Sequence, residues 1–208
     1  MIFLKDRSFE RRDELLEAAL NEFTIKTYEE ASLNTIIKNA GISKGTFYYH
    51  FTDKQALYLF LLEQSVAKKW DYINEQYKTK EQIPQGSIFD KFKDQARIAM
   101  EFAMQYPKYH ELGQMFSKEK GNPIYEVALA KMGGDTEKLL GSMIEKEYEA
   151  GSFQEGYSKD FLVRTLGYLF THFHEIFHRE EDFRLDIMLS HLDEYVNLIR
   201  FGIEKNKE

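Results

Sequence analysis

The sequence predicts an all-α protein, and three observations support this fold class. Apolar residues recur at intervals of three and four along most of the chain, which is the spacing of one helix face. No stretch alternates between apolar and polar residues in the way that a half-buried β-strand does. The three prolines, Pro84, Pro107 and Pro123, lie in or beside the breaks between the periodic segments.

The periodic segments predict ten helices, separated by loops that contain glycine or proline. The expected ranges are 9–26, 33–40, 44–51, 54–79, 88–106, 109–118, 123–132, 135–150, 158–179 and 185–205. A chain of 208 residues is long enough for one sizeable core or two modest domains. The sequence contains no long linker, repeat or low-complexity tract.

Composition and charge narrow the class of protein. The chain is 43% hydrophobic and 30% charged, as is usual for globular proteins, and its net charge of −7 argues against indiscriminate nucleic-acid binding. The absence of cysteine excludes a disulfide framework and Cys-based zinc sites. The N-terminus lacks a signal-peptide pattern, and the longest apolar run, 56–62, is far too short to span a membrane. We therefore expect a cytoplasmic protein that is not bound to a membrane.

Residues 31–52 form the most informative segment, because this part of an acidic chain contains no Asp or Glu. It covers the second and third predicted helices. Ser32 and Ser43 are placed to cap their N-termini, and Gly41 lies at the turn between them, where a left-handed backbone costs least. Two short helices joined by a glycine turn form a helix-turn-helix, which lays its second helix in the DNA major groove.

The third predicted helix divides into an apolar side and a polar arc. Phe47 and Phe51 fall on one side and are expected to anchor the helix in the core. The polar arc carries Lys44, Gly45, Thr46, Tyr48 and Tyr49, with His50 at its border. A lysine in the first turn can donate to guanine acceptors, and a glycine lets the backbone approach the duplex closely.

Phosphate contacts are expected from Tyr48, Tyr49 and His50, whose hydroxyl and imidazole groups position a protein without reading sequence. Lys54, which opens the next helix, adds another cation within phosphate range. The alternative is a small amphipathic helix pair with only a structural role. Two adjacent exposed tyrosines beside an acid-free face favour DNA binding.

Residues 11–57 resemble the DNA-binding segment of the TetR family of bacterial transcriptional regulators, most specifically over 40–54, AGISKGTFYYHFTDK. The resemblance implies base contacts around Lys44, Gly45 and Tyr48. It implies phosphate contacts from a second set, namely Ser32, Thr46, Tyr49, His50 and Lys54. It also implies that Asn34 lies near the groove, and Thr35 beside it completes the expected DNA-binding set.

The chain departs from the family pattern at two positions. Thr27 stands near the end of the first helix, where the family usually has glycine, so the capping of that end is not specified. Thr35 stands where the family often has an acidic residue, which removes the capping-box partner of Ser32. Neither position lies on the third helix.

We expect two domains: residues 1–53 as a three-helix DNA-binding head, and 54–208 as a helical body for effector binding and dimerisation. The body is rich in aromatic residues and methionine, which suit an apolar ligand pocket but equally suit core packing. The TetR resemblance implies a pocket in this half. The expected ligand-binding residues are Trp70, Phe102, Tyr106, Tyr109, Met115, Phe116, Tyr125, Phe170 and His174.

The last two predicted helices carry apolar stripes that are expected to pair with a second copy about a two-fold axis. The stripe of the first helix comprises Leu162, Leu166, Leu169, Phe173 and Ile176, and that of the second comprises Leu185, Met188, Leu192, Tyr195 and Ile199. These stripes predict a homodimer.

One motif competes with this interpretation, because His174, Glu175 and His178 match the H-E-x-x-H pattern of zinc hydrolases. His191 or Glu194 would be the candidate third ligand. No extended metalloprotease signature follows, and the pattern arises by chance in a chain with six histidines. We therefore expect no enzymatic activity, no metal and no cofactor.

The sequence thus predicts a repressor that binds a double-stranded DNA operator as a homodimer. A small, largely apolar or aromatic effector would release it by favouring another body conformation. The alternative is a related DNA-binding protein whose body binds a protein partner and no small molecule.

Overall fold

The computed structural model describes residues 10–79, 86–132, 136–173, 176 and 185–202, and their regular structure is entirely helical. The helices of this described part are α1 (Arg12–Phe23), α2 (Leu33–Asn39), α3 (Lys44–His50), α4 (Lys54–Thr79), α5 (Ile88–Gln105), α6 (Pro107–Lys118), α7 (Pro123–Met132), α8 (Thr136–Glu149), α9 (Lys159–Thr171) and α10 (Leu185–Phe201). The predicted all-α fold is confirmed, and each predicted helix has its counterpart. No helix in the described part is long and apolar enough to cross a membrane.

Helix α1 is shorter than the predicted 9–26 because the chain turns after Thr24. The Thr24 N–H still donates to the carbonyl of Leu20, and this closes the helix. The Thr27 hydroxyl and N–H then both donate to the Glu30 carboxylate, at 2.8 and 3.2 Å. This local turn ends the helix without the glycine that the family resemblance led us to expect at Thr27, since the Thr27 backbone stays out of the left-handed region.

The chain divides into two compact units that interleave along the sequence. The first comprises Met1–Tyr72 and Phe102–Gly133, and the second comprises Ile73–Glu101 and Gly134–Glu208. The expected boundary after residue 53 divides the chain by function rather than by compactness, and it stays a prediction.

The core of the first unit joins the first three helices to parts of the chain that follow much later. Phe23, Ile36 and Phe47 are buried from α1, α2 and α3, together with Leu57 and Tyr58 from the start of α4. The same cluster contains buried residues of α6 and α7, namely Leu112, Ile124 and Ala128. The helix-turn-helix therefore depends on α6 and α7 for part of its apolar support.

The second unit is held together by aromatic and aliphatic side chains of α5, α8, α9 and α10. Phe92 stacks on Phe170 with ring centroids 4.0 Å apart, and the Tyr195 hydroxyl donates to the Leu169 carbonyl at 2.8 Å. The buried members of the predicted stripes lie inside this core, namely Leu162, Leu166, Phe173, Met188, Leu192 and Tyr195. The expectation that these side chains face a second copy was wrong, because they already pack within the subunit.

Candidate nucleic-acid interface

Both predicted N-caps of the helix-turn-helix are present. Ser32 and Ser43 have extended backbones, and their hydroxyl oxygens accept hydrogen bonds from Thr35 N at 3.3 Å and Thr46 N at 3.0 Å. Each cap satisfies one N–H that the first turn of a helix leaves unpaired. The start of each helix is thus set by its own sequence.

The turn between α2 and α3 is fixed by Gly41 and by a residue that sequence analysis did not single out. Gly41 has φ +63°, as predicted, and the guanidinium of Arg11 donates to its carbonyl at 3.0 Å. A Cβ at Gly41 would displace the end of the Arg11 side chain. The glycine is required by its left-handed backbone conformation, which other residues rarely adopt.

Helix α3 turns its polar arc away from the core. Phe47 is fully buried and Phe51 is 5% exposed, whereas Tyr48 and Tyr49 are 56% and 66% exposed. Lys44 and Gly45 are also exposed, and Thr46 and His50 are half-buried. The predicted division of this helix is therefore what the structure contains, with the first-turn cation on the outer side.

The outer face of the helix pair has no acidic side chain, because 31–52 contains none. Its charged groups are Lys38 and Lys44, both exposed. Burial lowers the pKa of the His50 imidazole, which favours the neutral ring. The ring can offer a phosphate a hydrogen bond. Asn34 is exposed at the start of α2, and Thr35 beside it is half-buried.

The missing capping-box partner of Ser32 is replaced by Glu22 of α1. Its carboxylate accepts from Ser32 N at 2.9 Å and forms an ion pair with Lys26 at 2.7 Å. Glu22 is 5% exposed, and burial acts to raise its pKa. The hydrogen bonds from Lys26 and Ser32 outweigh burial, so the pKa of Glu22 is lowered. Sequence analysis did not single out Glu22, which lies ten positions from Ser32 along the chain.

Lys54 is engaged inside the first unit. Its ammonium donates to the carbonyls of Tyr28, Glu29 and Ala31 at 2.6, 3.3 and 2.9 Å. An ammonium has three N–H donors, so these three bonds use its full donor capacity. The structure thus gives Lys54 an internal role in place of the expected phosphate contact.

The expected ligand-binding residues are distributed over both compact units. Phe102 and Tyr106 form an aromatic cluster with Tyr72, with ring centroids 5.2 to 6.2 Å apart. Phe116 stacks on Tyr125 at 4.8 Å. The remaining residues of the first unit that were expected to bind ligand differ in exposure: Trp70 is 55% exposed, while Tyr109 and Met115 are half-buried.

In the second unit, Phe170 is buried against Phe92 as part of the core, and His174 lies outside the described residues. Open cavities occur among the described residues of this unit. One, of about 320 Å³, borders the loop at Gly151–Tyr157, and another, of about 290 Å³, lies beside Asp90 and Leu192. Neither is lined by a residue of the expected ligand-binding set.

The H-E-x-x-H residues His174, Glu175 and His178 lie outside the described residues. Of the nearby groups, His172 stacks on Tyr168 at 4.0 Å and is hydrogen-bonded through Nδ1. Within the described part, no group of three or more metal-ligating side chains is assembled. The expected lack of zinc stays a prediction.

The helix-turn-helix segment matches a known protein family. Residues 15–60 match the family model described as bacterial regulatory proteins, tetR family, and this range contains the capped helix pair. Residues 15–60 therefore form a DNA-binding segment of the TetR type. The predicted resemblance is thereby confirmed on the residues that carry it.

The curated relatives match the chain over about 60 residues. The HTH-type transcriptional regulator YdgC of Bacillus subtilis is 36% identical over 59 residues, which are 28% of this chain and 30% of that protein. IcaR of Staphylococcus aureus, a negative transcriptional regulator of the biofilm operon icaADBC, is 36% identical over 63 residues, or 30% of this chain and 32% of IcaR. The match thus spans about a third of these relatives.

Solved structures of transcriptional regulators extend the likeness to the fold of nearly the whole chain. A transcriptional regulator from Chloroflexus aurantiacus superposes with a TM-score of 0.73 at 21% identity, covering 97% of this chain and 96% of that one. FadR of Bacillus subtilis, solved in complex with stearoyl-CoA, gives a TM-score of 0.61 at 14% identity, with coverage of 92% and 99%. At these identities the likeness concerns the fold.

Proposed function

We propose that this protein is a transcriptional regulator of the TetR type that binds a specific DNA operator as a homodimer and represses transcription. The outer face of α3 carries the proposal, because it is exposed, free of acidic side chains and held on a capped, well-packed helix pair. A DNA-binding regulator acts where the chromosome is, so its place is the cytoplasm.

We assign the DNA contacts by position on the helix pair. Lys44 donates to guanine acceptors in the major groove, Gly45 lets the α3 backbone approach the bases, and Tyr48 contacts base edges beside them. Ser32, Thr46, Tyr49 and His50 bind phosphates and set the register, with Asn34 and Thr35 at the groove edge. Lys54 is left out of the phosphate set because its ammonium is already bound to three carbonyls.

Exposed apolar side chains of the second unit support dimerisation. Phe161 and Tyr168 on α9 are 50% and 62% exposed, and Leu198 and Phe201 on α10 are 46% and 72% exposed. Covering such side chains with a second copy is favourable, because it removes apolar surface from water. A two-fold dimer can place two recognition helices in successive major grooves, about 34–36 Å apart.

We further propose that a small, largely apolar or aromatic effector releases the operator. The aromatic cluster of Tyr72, Phe102 and Tyr106 supports this, since apolar pockets are usually lined by such side chains. The Lys68 ammonium lies 4.5 Å from the centre of the Tyr106 ring and supplies a cation for a polar head group. The structural likeness to FadR, which was solved with stearoyl-CoA, points to long apolar ligands as the first class to test.

A protein partner is the second candidate for regulation. Val66 and Trp70 lie one turn apart on α4 and are 38% and 55% exposed. Exposed neighbouring apolar side chains are suited to a protein contact. The two candidates differ in a simple experiment: a long-chain acyl-CoA that raises the melting temperature and releases DNA supports the effector. Release of DNA that requires a co-purifying protein supports the partner.

Selection of bound duplexes from a random DNA pool tests the proposed function. Purified protein should enrich one sequence with two related half-sites, bind it far more tightly than scrambled DNA, and lose affinity as salt rises. If no sequence is enriched and binding does not depend on sequence, the proposed function is wrong.

A further inference from the structure

The turn between α1 and α2 is held at Tyr28 by two charged side chains from distant parts of the chain. The Tyr28 N–H donates to the carboxylate of Glu119 at 2.6 Å, and the Tyr28 carbonyl accepts from the Lys54 ammonium at 2.6 Å. Glu119 follows α6, and Lys54 begins α4. We call this arrangement the Tyr28 clamp. It binds both hydrogen-bonding groups of one main-chain residue.

Glu119 is a charged residue in a buried position, which is unusual in proteins. It is 1% exposed, and a buried carboxylate costs free energy unless its oxygens are hydrogen-bonded. Its second oxygen accepts from the Asn122 side chain at 2.8 Å. Together with burial, the Glu119 charge raises the pKa of the neighbouring Tyr58 hydroxyl. Both oxygens of the carboxylate are therefore hydrogen-bonded, one to Tyr28 and the other to Asn122 in the α6–α7 corner.

The Tyr28 ring also contacts α4, in addition to the hydrogen bonds of its backbone. It packs on the Tyr58 ring with centroids 5.1 Å apart, and the Lys54 ammonium lies 4.5 Å from its centre. Lys54 also binds the carbonyl of Ala31, the residue directly before the N-cap of α2. The Tyr28 clamp therefore fixes the point from which α2, the glycine turn and α3 continue.

We propose that Glu119 is a positioning residue for DNA binding: through Tyr28 it fixes the start of α2, and through α2 the placement of α3. This inference rests on the proposed operator binding. We expect no contact between Glu119 and a base or a phosphate. The Glu119 side chain spans from the α6–α7 corner to the Tyr28 N–H, where its oxygen accepts at 2.6 Å, so we expect a shorter side chain to lose this hydrogen bond.

Two substitutions separate reach from charge. Glu119→Gln keeps the length and an acceptor oxygen but removes the charge, whereas Glu119→Asp keeps the charge and shortens the side chain by one methylene. Matched controls are Glu126→Gln and Glu126→Asp, since Glu126 is an exposed acid on the first turn of α7. The wild-type protein is first shown to bind the operator selected from the random pool. Failure at that step would count against the proposed function and not against the clamp.

Operator affinity is measured for each variant at several salt concentrations, below the melting temperature of each. Loss of a hydrogen bond to a charged group predicts that Glu119→Asp weakens binding by about tenfold or more. Its salt slope should equal that of the wild type, because no phosphate contact is removed. Glu119→Gln should stay within about threefold of the wild type, since its oxygen still reaches Tyr28. Hydrogen exchange of the Tyr28 amide should accelerate only in the Asp variant.

A purely structural role would lower the melting temperature of Glu119→Asp while leaving operator affinity unchanged, and that result would overturn the proposal. Equal losses in the Gln and Asp variants would also overturn it, because charge and not reach would then matter. If Glu119→Asp does not fold, Asn122→Ala takes its place. It leaves the carboxylate intact but removes its second partner. The proposal then requires faster exchange at Tyr28 together with weaker operator binding, and wild-type values for both would refute it.

Discussion

At the scale of single residues, Gly45 offers a test that separates DNA binding from folding. It lies in the first turn of α3, and a Cβ built there would meet only Ser43 Oγ, at 3.6 Å. The free protein can therefore accept alanine at this position. A duplex that approaches the backbone closely cannot accept it without moving away.

Gly45→Ala should raise the free energy of unfolding by up to about 1 kcal/mol, because alanine loses less entropy in a helix. Operator affinity should fall at the same time. Gly113→Ala on α6 is the matched control, since a Cβ there has no neighbour within 4 Å. It should stabilise the protein without changing DNA binding. Equal operator affinity in both variants would mean that DNA does not approach Gly45.

Lys44 and Lys54 should respond differently to substitution, although both are lysines near the same helix pair. Lys44→Ala should weaken operator binding by about 1–3 kcal/mol and relax the preference at one base in each half-site. Lys54→Ala should lower the free energy of unfolding and weaken binding with an unchanged salt slope, because its ammonium binds carbonyls. Titrations at several salt concentrations decide this. A slope reduced by about one per subunit would show that Lys54 contacts a phosphate.

At the scale of the helices, the junction of α1 and α2 depends on an ionised Glu22. Its pKa is lowered from 4.5 in the folded protein, since the hydrogen bonds from Lys26 and Ser32 outweigh burial. The contribution of this carboxylate to stability is thus fully present above pH 4.5. It is lost as the pH falls through the lower folded pKa.

Glu22→Gln keeps an acceptor for Ser32 N but loses the ion pair with Lys26. At neutral pH the variant should be less stable than the wild type by about 1–3 kcal/mol. The difference should shrink as the pH falls below 4.5, which denaturant titrations across this range will measure. Glu14→Gln, at an exposed position on α1, is the control and should show little change. A difference that stays constant with pH would contradict the role of the charge.

At the scale of the whole molecule, the second unit has exposed apolar side chains that a second copy can cover. The wild-type protein should sediment with a mass near twice 24.7 kDa. A double variant, Phe161→Glu with Tyr168→Glu, should sediment as a monomer and bind the operator weakly, because charges at a packed interface are costly. Leu139→Glu, at a position 60% exposed on α8, should remain dimeric. A double variant that stays dimeric would show that the interface lies elsewhere.

The helices and the outer face of α3 could be predicted from the sequence, because both depend on short-range patterns. The caps at Ser32 and Ser43 and the turn at Gly41 involve residues three positions apart or fewer, so they can be read directly. The apolar stripes of α9 and α10 were found as well, but their partners were not. Periodicity identifies a buried face without saying whether it packs within the subunit or against another copy.

The tertiary structure alone decided how the helix pair is held. Glu119 bonds to Tyr28 across 91 positions, Lys54 to Tyr28 across 26, and Arg11 to Gly41 across 30. These pairs could not be predicted from the sequence, because the residues next to each side chain along the chain give no sign of its distant partner. Backbone propensity, capping and periodicity act over a few residues, so the sequence by itself determines them. The partner of a buried charged side chain is determined by the packing of helices that are distant in the sequence.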